Sequence, residues 1–126
     1  MKIISIISSV ANFKSYLKAI INPSLHACFL LRLGTTYDSK VLHIFMRNIL
    51  IFKHSIDIGV GCKLGAGMIL PHPMGIVFGD KVSFGNGCTI YHNCTFGKKN
   101  GGYPNVGNNC VFFPGSIIVG PIVVGE

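Results

Sequence analysis

From Ile58 onward the chain repeats. An aliphatic or aromatic residue recurs every six positions, usually followed by glycine: Ile58-Gly59, Leu64-Gly65, Leu70, Phe78-Gly79, Phe84-Gly85, Ile90, Phe96-Gly97, Val106-Gly107, Phe112, Ile118 and Val124-Gly125. Two residues before each stands a second inward position, held by Ile56, Cys62, Met68, Ile76, Val82, Cys88, Cys94, Pro104, Cys110, Ser116 and Ile122. A large apolar residue every six positions, with a second apolar or small one two before it, predicts a triangular parallel β-helix. Each hexapeptide makes one face and three make a coil of roughly eighteen residues, with coils stacked at the strand spacing of about 4.8 Å. Two steps break the period: Leu70 to Phe78 is two residues too long, and Phe96 to Val106 is four too long. His72 and the stretch Lys98 to Tyr103 therefore lie in inserted loops, which a solenoid carries on its surface and often on its binding face.

Before the repeat, the apolar residues have no six-residue period and the punctuation is helical. Asn22, Pro23 and Ser24 form a break and an N-cap. The run from Leu25 to Leu33 is expected to end at Gly34, and Asp38 or Ser39 can cap a further helix to about Ile51. The organisation expected is a helical segment over 1–54 and a β-helix over 55–126. The last rung stops at Val124-Gly125-Glu126 without a capping element, which suggests truncation at the C-terminus or an edge covered in an assembly.

Composition sharpens this division. Only Gly34 lies among the first 58 residues and the other fifteen glycines follow, so the second segment needs turns and cannot be a helical bundle. The formal net charge of +7 belongs almost wholly to the first segment, where seven Lys/Arg face one Asp. These cations (Lys2, Lys14, Lys18, Arg32, Lys40, Arg47, Lys53) are spread singly among apolar residues, which argues against nucleic acid. They suit a packed helical pair, with membrane association at most peripheral. MKIISIISSVA is short, broken by serines and without a cleavage pattern, so it reads as mature protein. No transmembrane helix is expected, because the long uncharged stretch after Asn100 is full of Gly, Pro and Asn. Four of the five cysteines occupy the smaller inward slot. They read as reduced core fillers rather than metal ligands or disulfides, since there is no C-x-x-C and their number is odd.

The stretch SIDIGVGCKLGAGMILPHPMGIVFGDKVSFGNGCTIYHNCTFG resembles the catalytic coils of the hexapeptide-repeat acyltransferases with a left-handed β-helix, and within them the serine acetyltransferase group. In that family an Asp opens the first rung and a His follows the third, just before a G-I-V; here these are Asp57, His72 and Gly75-Ile76-Val77. His26-Ala27 and Arg32 match the last helical part of the family, most of whose N-terminal helical domain is absent. GGYPNVGNNCVFFPGS corresponds to the loop and coil that line the acetyl-CoA cleft.

The resemblance implies an acetyl-CoA-dependent O-acetyltransferase without a metal. His72 would act as general base, since a neutral imidazole can take the proton of an attacking hydroxyl near pH 7. Asp57 would orient that ring; spacing alone does not show that the two meet, and the alternative is that Asp57 merely caps the first coil as a solvated carboxylate. Gly97 is the expected oxyanion donor, Pro114 and Gly115 match pantetheine contacts, and Lys98 suits cofactor phosphates. His92 reads as a turn residue, and His43 and His54 as packing.

The loop Lys98 to Tyr103 is shorter than in serine acetyltransferases, with Gly102 and Tyr103 where an Arg-His pair stands, and Pro71 replaces the Asp before the His. These changes favour a sugar hydroxyl of a surface polysaccharide as acceptor, recognised beside Gly102 and Tyr103, with serine as the alternative. A non-catalytic β-helix scaffold is the alternative of another class. A cytoplasmic homotrimer is expected, with His72 in the groove between adjacent prisms and the Lys98 to Tyr103 loop forming the opposite wall.

Overall fold

The structure is a computed structural model and describes residues 17, 18 and 20–125. The N-terminal stretch read as mature protein lies outside the described residues. Among the described residues, helices α1 (Pro23–Thr36) and α2 (Lys40–His54) are followed by nine short strands. These are β1 (Asp57–Ile58), β2 (Val77–Phe78), β3 (Ser83–Phe84), β4 (Thr89–Ile90), β5 (Thr95–Gly97), β6 (Asn105–Val106), β7 (Val111–Phe112), β8 (Ile117–Val119) and β9 (Val123–Val124).

The strands form three parallel stacks, β1-β2-β5-β8, β3-β6-β9 and β4-β7, the faces of a solenoid of about three turns. Ile58, Phe78, Phe96 and Ile118 are in register on the first face. The longer first and third coils carry the two insertions where the broken period puts them. Ile58, Phe78, Phe84, Phe96 and Val106 are buried, and the rings of Phe78, Phe84, Phe96 and Phe112 pack mutually, Phe84 edge-on to Phe96 at 4.8 Å. Leu64 is only half-buried, because coil two lies on one side of it along the stack and α1 rather than a further coil on the other. The recurring glycine has a steric cause: a Cβ on Gly65 would collide with the backbone of Gly85, and one on Gly59 with that of Asp80.

Cys62, Cys88 and Cys94 are buried in the corner slot, and burial pushes the Cys62 thiol up to about 12. Cys110 is half-buried because it sits in the outermost complete coil. All five cysteines are free.

The helix N-caps are Asn22, whose side chain accepts from the N–H of Ser24 and Leu25, and Ser39, which accepts from Leu42 N–H. Two boundaries move outward from the sequence expectation. Gly34 does not end α1 but lies inside it, buried against Met46 of α2, where a Cβ would stand 3.3 Å from the Met46 Cβ. Its role is close helix approach. α2 runs past Ile51 to His54 and is closed by Ser55 in the left-handed region, φ 54°. The helical pair covers the open edge of the first coil: the Arg32 guanidinium donates to Leu64 O (2.7 Å) and Gly65 O (2.6 Å), and the Cys28 thiol reaches Met68 O.

Candidate active site

The first insertion, Pro71 to Gly75, turns the corner between the third face of coil one and the first face of coil two. It is a tight turn, with Met74 N–H donating to His72 O (2.8 Å) and Asn93 N–H to Met74 O (3.0 Å), and Gly75 has φ 66°. Pro73 is buried beneath it while the His72 side chain projects into solvent. The histidine is therefore held by a hydrogen-bonded turn with its ring exposed.

His92 stands beside His72, ring edge to ring face at 5.6 Å between centroids. The pairing of Ile69 with Thr89, continued by three residues, puts His92 directly above His72 in the next coil. Its Nδ1 is buried with no hydrogen-bond partner among the described residues. Tyr91 lies 6.4 Å from His72 and stacks on Phe113 one coil further, 5.7 Å apart and 15° from parallel. Gly115 N–H donates to His92 O (3.1 Å), so Pro114 and Gly115 form the third level of this corner; a Cβ on Gly115 would meet nothing within 4 Å.

Asp57 opens the first face on β1, half-exposed. Within the chain its carboxylate faces Arg47 of α2, with Nε to Oδ1 at 2.6 Å and Nη2 to Oδ2 at 3.1 Å, and no hydrogen bond joins it to His72 among the described residues. Hydrogen bonding to Asp57 raises the Arg47 pKa above its ordinary value.

The second insertion is a hairpin in which Lys99 and Gly102 exchange backbone hydrogen bonds of 3.1 Å across Asn100 and Gly101, both at positive φ. Lys98 and Lys99 are exposed, Gly102 packs on Pro121, and the Tyr103 ring lies over Gly79. This hairpin occupies the corner between the first and second faces, whereas His72 occupies the corner between the third and first. One chain keeps the two a full face apart.

Gly97 ends β5 in the column of Gly59 and Gly79, whose N–H groups donate to Phe78 O and Phe96 O of the next coil at 2.7 Å. Gly97 is likewise in register with coil four, opposite Val119. Gly97 is the residue from which the sequence reading expects the oxyanion donor, and its carbonyl accepts from Gly120 N–H at 3.1 Å.

Two residues escaped the sequence reading. His92 was legible: it follows His72 by the length of the enlarged first coil. Arg47 carried no motif, since its pairing with Asp57 depends on how α2 meets β1.

No family model matches this chain. The serine acetyltransferase of Helicobacter pylori is 31% identical over 114 residues, which cover 85% of this chain and 67% of that protein. The mitochondrial serine acetyltransferase 3 of Arabidopsis thaliana is 30% identical over 125 residues, 96% of this chain and 30% of the relative. The chain belongs to the serine acetyltransferase family. As a member of that family it is an acetyltransferase. In fold it is similar to serine acetyltransferase isoform 3 of Entamoeba histolytica, solved in complex with cysteine, with a TM-score of 0.68, 24% identity and coverage of 87% of this chain and 42% of that one.

Proposed function

We propose that the protein transfers the acetyl group of acetyl-CoA to the hydroxyl of a small molecule, with His72 as general base and free serine as the first acceptor to test. The observation that carries the reading is His72 itself: a solvent-facing imidazole on a rigid insertion, in the motif context of the family. His72 takes the acceptor's proton as its oxygen attacks the thioester carbonyl; the new O–C bond forms, the C–S bond breaks, and the thiolate leaving group receives the proton. His92 at 5.6 Å restricts the ring from one side. Asp57 is the orienting carboxylate, and Arg47 leaves it capacity to serve, because a carboxylate offers about four lone-pair sites and Arg47 occupies two.

The donor fits what lines the two corners. Lys98 and Lys99 are exposed cations suited to its phosphates, and the open space at Gly115 next to Pro114 suits a thin pantetheine arm. Because these groups lie a face apart in one chain, the complete site is proposed to form between neighbouring subunits of a homotrimer, with Lys98, Gly102 and Tyr103 of one subunit opposite His72 of the next. A thioester donor and five free thiols suit a cytoplasmic setting.

A second acceptor reading rests on the corner around His72. Tyr91 and Phe113 make a stacked aromatic platform beside the base, a surface suited to a sugar ring, while neither insertion carries an Arg for an amino-acid carboxylate. The experiment is release of free thiol from acetyl-CoA with L-serine and, in parallel, with a panel of nucleotide sugars and oligosaccharides. Turnover with one class, lost at least a hundredfold in His72→Ala with the fold retained, supports the reading. Undiminished turnover in His72→Ala refutes it, and failure to bind acetyl-CoA at all favours a non-catalytic scaffold.

A further inference from the structure

The α2 helix is apolar on two sides but packed on only one. Met46 and Leu50 face the core, together with His43 and His54. On the other side Val41, Phe45 and Phe52 follow at helical spacing with Ile44 alongside, and they are 80%, 60%, 90% and, for Ile44, 56% exposed. A packed helical pair explains none of this outer stripe. Lys40 flanks it on one side and Lys53 on the other by their positions around the helix, while Arg47 is already paired with Asp57, and α2 contains no acidic residue. The wider segment agrees, since residues 1–54 hold seven Lys/Arg against one Asp while the β-helix is nearly neutral.

We infer that this face of α2 is a docking surface for an anionic lipid bilayer, on which the helix lies in the interface plane with Val41, Phe45 and Phe52 inserted and the lysines among the headgroups. A helix with a broad apolar stripe, cations at its margins and no anions has the physical signature of an interfacial helix. Charge argues against a second copy of α2 as occupant, because two such faces would bring Lys40 and Lys53 against their copies, and α2 contains no acidic residue to compensate them. Among the described residues no helix is long and apolar enough to cross a membrane, so the binding is peripheral. The inference is independent of which acceptor the enzyme uses and goes beyond the transfer reaction.

The test is co-sedimentation of the full chain with vesicles of pure phosphatidylcholine and of phosphatidylcholine containing one quarter phosphatidylglycerol, at low and high salt. Partitioning onto the anionic vesicles is expected to exceed that onto neutral ones at least tenfold, to fall severalfold at high salt, and to drop at least tenfold in the Phe45→Glu/Phe52→Glu variant with acetyl transfer unchanged. The chain has no tryptophan, so Phe52→Trp supplies a single reporter whose emission should shift to the blue on anionic vesicles alone. This second readout does not depend on the double variant folding. No partitioning, equal partitioning onto both vesicle types, or an unshifted Phe52→Trp spectrum overturns the inference. So does a smaller oligomer in the Phe45→Glu/Phe52→Glu variant by light scattering, which would mark the face as a contact between copies.

Discussion

Arg47 grips Asp57 with two parallel hydrogen bonds, tying α2 to the strand that opens the β-helix. Both side chains are about two-fifths exposed, so the pair contributes no more than about 1 kcal/mol to stability once solvent screening is counted. Its larger effect is on position. Arg47→Met is expected to change the melting temperature by only a few degrees while lowering kcat about tenfold, because the carboxylate proposed to orient His72 loses its fixed rotamer. Measured kcat and KM beside a thermal melt check this; unchanged kcat would separate Asp57 from the chemistry.

Stacking predicts a sharp contrast between two glycines. A Cβ at Gly65 collides with the backbone of Gly85, whereas one at Gly97 makes only an ordinary 3.5 Å contact with Val119. Gly65→Ala should cost about 1–3 kcal/mol, the usual range for forced overpacking, and Gly97→Ala well under half of that. Chemical denaturation of both variants gives the comparison directly.

The helices carry a histidine pair with a defined pH response. His26 Nδ1 and His54 Nε2 are 2.8 Å apart, a hydrogen bond that needs one nitrogen unprotonated. Burial lowers both pKa values, Lys53 lowers both further, and His26 also lowers that of His54. Folded values below the unfolded value of about 6.5 mean that the unfolded chain binds more protons as pH falls. Stability from this pair is therefore fully present above about pH 6.5 and is lost on acidification below it. Melting temperature should fall between pH 7 and pH 5, and His26→Gln should flatten that slope. A slope unaltered in His26→Gln would assign the acid sensitivity elsewhere.

Thiol reactivity should sort the cysteines by depth. A disulfide reagent added to the native protein is expected to modify Cys110 and Cys28 before Cys62, Cys88 and Cys94, which are buried; the Cys62 thiol, held up to about 12 by burial, is almost never the reactive thiolate. Mass mapping of the labelled sites over time checks the order. Early labelling of Cys62 would contradict the packing described.

The six-residue period is enough to specify the β-helix, because each step places one side chain in a shared interior, and an interior position tolerates only an apolar residue of suitable size. The same period exposes both insertions as errors in spacing, and so singles out His72 and the Lys98 to Tyr103 loop. It also held, unread, the stacking of His92 over His72, which needs only the enlarged coil length. How the helices meet the solenoid is set by packing between elements and is visible only in the folded chain. Gly34 looks like a helix stop in one dimension, yet it is a contact point with Met46, and Arg47 selects Asp57 through the angle at which α2 meets β1. Neither relation has a period, since both join elements whose relative placement is fixed by packing rather than by the chain's own repeat. The outward stripe of α2 belongs to the same class: the sequence shows that Phe45 and Phe52 are apolar, but which side of the helix the core takes is set by what the other side fails to touch.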